Sequence, residues 1–370
     1  MNKLTKWTPK TIKEELEKYV VGQKDAVTAY SLLIYNTLLR KELAKQGVNV
    51  NLNKSILLVA GDTGTGKTFL AQKAEELFGI NVVLIDGSRV NGHGWSGTRI
   101  EDYLLKLETK ILKKLQLSDR VHFSDEETSK VVITELHNTI IFIDEFDKLF
   151  VSHDTHNRDS TQAAQASLLK FLEGDIYAGK KLNFDTSIFN FILSGVFEEV
   201  LDNDSKKQSI GFTEQQNDDI TQTMKEKLRK MGVGREILGR VTRATMTNKL
   251  SKHDLEAILE RKDSPISHYK NVFILNDSLL TISPNVIATI AELALTSNLG
   301  ARALKEEVDN LFEPLLMEVD TYSGLWINAY DVVEKKLVIR CGDGIYSELS
   351  HYDEIDETVG VDPLKLLRGH

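Results

Sequence analysis

The sequence predicts an α/β protein: a large domain with a central parallel β-sheet flanked by helices, then a smaller, mainly helical α+β domain. Three observations predict it. Four short runs are almost wholly apolar and rich in β-branched residues, with helical patterns between them, as in a parallel sheet covered on both faces. A glycine-rich loop joins the first of these runs directly to a helical stretch. After about residue 246 the apolar runs give way to amphipathic helices.

The predicted strands are Ser55–Ala60, Val82–Asp86, Thr139–Asp144 and Ile188–Ser194, with Arg243–Thr247 as a weaker fifth. Beyond them, Ser251 and Asp254 form a capping box that opens a helix carrying Leu255, Ile258 and Leu259. Ser283 at the N-cap and Pro284 at the first helical position start another, with Val286, Ile287, Ile290 and Leu293 on one face. A third begins near Gly300, with Ala301, Leu304, Val308 and Leu311 at helical spacing. The expected division is an N-terminal extension (1–18), a large domain (19–245), a small domain (246–345) and an acidic C-terminal tail (346–370).

Composition narrows the function. At 370 residues the chain has room for about two or three domains. Apolar residues make up 41% and charged residues 27%, enough apolar surface to bury a core. No apolar run approaches the ~20 residues of a membrane span, and the N-terminus carries no signal-peptide stretch, so a cytoplasmic location is expected. A single cysteine, Cys341, excludes a disulfide framework and a cysteine-rich zinc module. The net charge of −9 argues against a general nucleic-acid coat.

The chemistry starts at Gly61-Asp62-Thr63-Gly64-Thr65-Gly66-Lys67-Thr68, a match to the P-loop pattern between a predicted strand and a predicted helix that opens with Phe69. Glycines let backbone N–H groups turn inward around phosphate oxygens. Lys67 is expected to neutralise the outer phosphates of ATP, and Thr68 to ligate Mg²⁺ at a helix N-terminus. The expected nucleotide-binding residues of the loop are Gly61, Thr63, Gly64, Thr65, Gly66, Lys67, Thr68 and Phe69. Asp144 and Glu145 close the third apolar strand. A P-loop needs a carboxylate there for the Mg²⁺ shell, which Asp144 supplies. Glu145 can orient or deprotonate the attacking water, which favours hydrolysis over transfer to a second substrate.

With the P-loop, this Asp-Glu pair resembles the AAA+ ATPases of the Clp family, and over roughly residues 11–340 the chain is similar to its ClpX unfoldase branch. The resemblance implies a homo-hexameric ring that hydrolyses ATP, unfolds protein substrates by threading them through a pore, and passes them to a ClpP-like peptidase. By the same resemblance, Tyr19-Val20-Val21-Gly22-Gln23 carries the adenine-side contacts through Val20 and Val21. Gly94-Trp95-Ser96-Gly97 resembles the aromatic pore loop, with Trp95 and Ser96 replacing the usual tyrosine and valine. Arg240 corresponds to an arginine finger, Arg302 to the sensor-2 arginine that reaches the phosphates, and Ser194 falls in the sensor-1 region. Ile210-Gly211-Phe212 resembles the peptidase-docking loop.

The family's zinc-binding N-terminal domain is expected to be missing, since about 18 residues precede Tyr19. Its basic pore-entrance loop is expected to be shortened to Gly179-Lys180-Lys181, and the segment Leu115–Asn138 exceeds the family pattern. The alternatives are a stand-alone remodeller without a peptidase and a nucleic-acid motor, the second disfavoured by the acidic balance.

Overall fold

The computed structural model describes residues 5–48, 52–89, 100–114, 126–149, 158–197, 215–276, 280–297, 299–317, 325–331 and 336–341. The chain forms two compact units. One comprises Met1–Asp62 and Gly66–Asn248, the other Thr63–Thr65 and Lys249–His370.

The first unit opens with α1 (Pro9–Glu17) and α2 (Lys24–Lys45). Thr8 caps α1 through a capping box with Thr11, and Pro9 takes the first turn, where its missing N–H costs nothing. Strand β1 (Ile56–Ala60) is buried at every position and leads into α3 (Lys67–Phe78). Helix α3 ends at Gly79, whose φ of +65° suits a residue without Cβ. Then follow β2 (Asn81–Asp86), α4 (Ile100–Lys114), α5 (Glu126–His137), β3 (Thr139–Asp144) and α6 (Arg158–Glu173). A hairpin of β4 (Ile176–Ala178) and β5 (Asn183–Asp185) precedes β6 (Asn190–Gly195). The unit closes with α7 (Gln215–Lys230), α8 (Arg235–Arg240) and β7 (Arg243–Met246).

Five strands form one sheet in the order β2-β3-β6-β1-β7, with every neighbouring pair parallel. Alternation along β1 feeds a core on each face. Ile56, Leu58 and Ala60 join Ile141, Ile143, Phe171, Phe191 and Leu193 on one side. Leu57 and Val59 join Ile12, Leu16, Tyr30, Leu33, Phe142 and Ile192 on the other. Helix α1 thus contributes Ile12 and Leu16, both fully buried, to the core of the large unit.

The fourth strand differs from its sequence expectation. Asp185 caps a 3-10 turn at Thr186–Ile188, so Ile188 ends that turn and β6 begins at Asn190. Short polar side chains that bond their own backbone compete with strand pairing in this way.

The second unit contains α9 (Lys252–Leu259), α10 (Pro265–Leu275), β8 (Leu280–Ile282), α11 (Pro284–Thr296), α12 (Ala301–Leu316), β9 (Leu325–Asp331) and β10 (Lys336–Cys341). Ser251 and Asp254 form the expected capping box of α9. Ser283 occupies the N-cap of α11, but its side chain makes no capping bond. Leu255, Tyr269, Phe273, Val286, Ile290, Leu304, Val308 and Phe312 form the core. Three strands, in the order β10-β9-β8, join the helices; β8 runs parallel to β9, and β9 antiparallel to β10.

Candidate functional site

The site grows from the carboxyl ends of β1, β6 and β3. Strand β6 lies between the other two, with Gly195 opposite Ala60 and Leu193 opposite Ile143. The residues that follow β1 and β3 therefore flank the end of β6, as ligand sites in open α/β sheets do.

Beyond β1 the chain turns through Gly61, whose N–H donates to the Gly195 carbonyl at 3.2 Å. Gly64 and Gly66 have φ values of +75° and +92°, a region that strains residues with a side chain. Gly66 is also the N-cap of α3, so the first turn of the helix starts at the loop and its N–H groups border it. Lys67 is buried, and its ammonium donates to the carbonyls of Gly61 at 2.6 Å and Asp62 at 2.7 Å. The Tyr30 hydroxyl donates to the Lys67 carbonyl at 2.9 Å and pins the start of α3 from α2. Burial, and after it the charge of Asp144, holds that phenol well above its ordinary range.

Asp144 collects three donors. Thr68 Oγ1 reaches Oδ2 at 2.9 Å, while Ser194 Oγ and the Glu145 N–H reach Oδ1 at 3.2 and 3.0 Å. Glu145 is exposed and adopts φ +49°, an uncommon conformation for a bulky non-glycine residue, which costs about 1–3 kcal/mol. Strain of that size persists only where the surrounding structure holds the residue in place.

The motif at 19–23 comes to the same region. Val20 is buried in the core beneath α3. The Lys73 ammonium sits 4.5 Å from the centre of the Tyr19 ring and 5.3 Å from that of Phe69, so the motif and the first turn of α3 share one cation. Arg240 ends α8 at the surface, its Nη2 2.5 Å from Glu173 Oε1 at the end of α6. Arg302 is exposed in the first turn of α12, in the second unit. Gly94, Trp95, Ser96, Gly97, Ile210, Gly211 and Phe212 lie outside the described residues.

Several residues with a part in this geometry gave no sequence signal. Tyr30 lies outside every sequence motif, and Gln23 ends the 19–23 motif with no expected role of its own. Glu108 is the clearest case. Buried on α4, its carboxylate accepts the N–H groups of Lys180, Lys181 and Leu182 at 3.0, 2.5 and 2.7 Å, which fixes the turn between β4 and β5.

Chemically, the loop can surround an anion with N–H groups and a cation. Thr68 and Asp144 offer a hydroxyl and a carboxylate with no nitrogen or sulfur, a donor set that suits Mg²⁺. Comparison with known proteins identifies an ATPase. Residues 57–264, more than half of the chain, match the model of the ATPase family associated with various cellular activities (AAA). The chain is 30% identical over 337 residues to the ATP-dependent Clp protease ATP-binding subunit ClpX of Borrelia duttonii (strain Ly), covering 84% of this chain and 74% of that protein. To the subunit of the same name from Bacteroides thetaiotaomicron it is 29% identical over 340 residues, covering 85% and 78%. The chain therefore belongs to the AAA family and is a ClpX-like ATPase.

Proposed function

We propose that this ATPase is a protein unfoldase and translocase, working as a cytoplasmic homo-hexameric ring that delivers unfolded chains to a ClpP-like peptidase. The similarity to ClpX subunits extends over 84% of the chain and so reaches past the nucleotide motifs into the second unit; that extent carries the reading. The relatives' own name ties them to a protease.

In this reading the P-loop N–H groups and Lys67 bind the phosphates of ATP, while Val20, Val21 and Phe69 line the adenine side. Thr68 and Asp144 would hold Mg²⁺, which when bound screens the charge of the outer phosphates. Ser194 and the Glu145 N–H, both bonded to Asp144, keep its carboxylate oriented. Glu145, left exposed at the strand end, orients the attacking water and takes its proton. A neighbouring copy supplies Arg240 to the developing charge. Its guanidinium is about half exposed and tied only at the surface to Glu173, an exchangeable pairing of small energy. Arg302 contacts the phosphates from the small domain. Trp95 grips the moving polypeptide with an aromatic face that tolerates any sequence. Ile210 and Phe212 anchor the peptidase.

A stand-alone remodeller with a dedicated substrate is the second reading, and one observation favours it. Where the Clp relatives are expected to carry a basic pore-entrance loop, Gly179–Lys181 is part of a tight turn fixed by Glu108. Two experiments separate the readings. Trp95→Ala should keep ATPase activity and lose unfolding, and intact unfolding would remove the pore-loop role. Deleting 210–212 should abolish degradation by a ClpP-type peptidase while unfolding persists; degradation at the parental rate would remove the docking role.

A further inference from the structure

Asn248 is the last residue of the first unit, and the chain enters the second at Lys249. Both main-chain groups of Asn248 are paired with one side chain. Its N–H donates to Gln23 Oε1 at 2.7 Å, and Gln23 Nε2 donates to its carbonyl at 2.8 Å, across 225 positions of sequence. The Asn248 amide donates to the Gly22 carbonyl at 3.2 Å.

One residue earlier, the Thr247 N–H donates to the Ala60 carbonyl at 2.8 Å, at the mouth of the P-loop. A Cβ added at Gly61 would come within 1.8 Å of Thr247 Oγ1, so the Thr247 side chain packs into the space that the glycine leaves. Residues 247 and 248 are therefore clasped on one side by the start of the P-loop and on the other by the 19–23 motif.

Gln23 is 2% exposed and stands at the N-cap of α2, yet its side chain makes no capping bond there. The buried amide spends both of its ends on the exit of the chain instead of on its own helix.

We propose that Gln23 is a positioning residue of the ATPase: through its paired bonds to Asn248 it couples nucleotide occupancy of the P-loop and the 19–23 motif to the point where the chain leaves the large unit. The inference rests on the ATPase activity alone and stands whether or not the protein unfolds substrates. A nucleotide that tightens the clasp must in turn be held more tightly by it, because coupling between two equilibria is reciprocal.

The test combines amide hydrogen exchange and kinetics on the full chain. Gln23→Met keeps the side-chain length and removes both bonds; Asn248→Ala keeps the main-chain pair and removes only the bond to Gly22. In the parent and in Asn248→Ala, a non-hydrolysable ATP analogue should slow exchange at residue 248 by about tenfold or more. In Gln23→Met, exchange at 248 should be fast with or without the analogue, while Thr247 stays protected. Its kcat should fall about tenfold and, by the same reciprocity, its affinity for the analogue should weaken about tenfold, both measured below its melting temperature. Nucleotide-dependent protection retained in Gln23→Met, or a parental kcat, would overturn the proposal. An affinity for the analogue within about twofold of the parent's would also overturn it, since the coupling is reciprocal. A purely stabilising role would lower Tm and leave these ratios unchanged.

Discussion

The Thr68 hydroxyl lies 2.9 Å from Oδ2 of Asp144, although the two residues are 76 positions apart. The sheet order explains the meeting: β6 separates β1 from β3, and Ser194 at its end bonds the other oxygen of the same carboxylate. Asp144→Ala removes the acceptor of three donors at once. Turnover should fall by at least about 10²-fold, the scale on which preorganised charge contributes. Chelation of divalent cations should stop parental turnover and added Mg²⁺ restore it. A phosphate-release assay with circular dichroism as a folding control checks both.

Glu145→Gln should bind ATP with near-parental affinity and lose turnover, because the amide keeps the size and loses the base. The left-handed backbone at this position yields a second expectation. Glu145→Asn should raise stability by about 0.5–1 kcal/mol, since Asn accepts φ near +50° more readily than Glu. Its turnover should nonetheless be lost. A thermal melt read beside nucleotide titration and phosphate release tests both halves. Full hydrolysis by Glu145→Gln would remove the water-activating role.

Glu108 accepts three backbone N–H groups in a buried setting, so Glu108→Ala leaves three donors to find other partners. The expected cost is about 2–4 kcal/mol, by the usual size of bonds to a charged group. Faster amide exchange at residues 180–182 should accompany it. Unchanged stability would mean that the turn holds its shape without the carboxylate.

Lys54 donates to the Thr186 carbonyl at 2.7 Å and lies over the Phe191 ring. Burial lowers its pKa to about 7, and the positive charge of Arg40 adds to that, with Arg240 lowering and Asp185 raising it. The folded value lies below the unfolded one, so the unfolded chain binds the proton more tightly. The group therefore penalises the fold fully below about pH 7, and stability recovers as pH rises toward the unfolded pKa. Lys54→Met should gain stability relative to the parent at pH 7, and the gap should shrink by pH 9.5. Paired thermal melts at the two pH values decide it; a gap that widens with pH contradicts the assignment.

The strands and the P-loop were legible because near-continuous apolar runs and a glycine-rich spacing are local signals. The Asp-Glu pair was legible for the same reason. Tertiary bonds were not. Gln23 and Asn248, Tyr30 and Lys67, and Glu108 and the 180–182 turn meet only after the sheet forms, and no periodicity encodes such pairings. The start of β6 was misjudged at Ile188 because an aspartate two residues upstream of Ser187 captured that residue's N–H. The small sheet of the second unit was read only as part of an α+β domain. Strand β8 is three residues long and is separated in sequence from β9 and β10 by α11 and α12, so no single window announced the whole sheet.

In the proposed function, ATP hydrolysis at Asp144 and Glu145 drives the unfolding of another polypeptide. The most direct measurement is the fluorescence of a stably folded reporter protein carrying an unstructured tail, followed beside phosphate release. With ATP, the parent protein should extinguish the fluorescence, and Glu145→Gln should not. A reporter that stays fully fluorescent while the parent hydrolyses ATP would contradict the account.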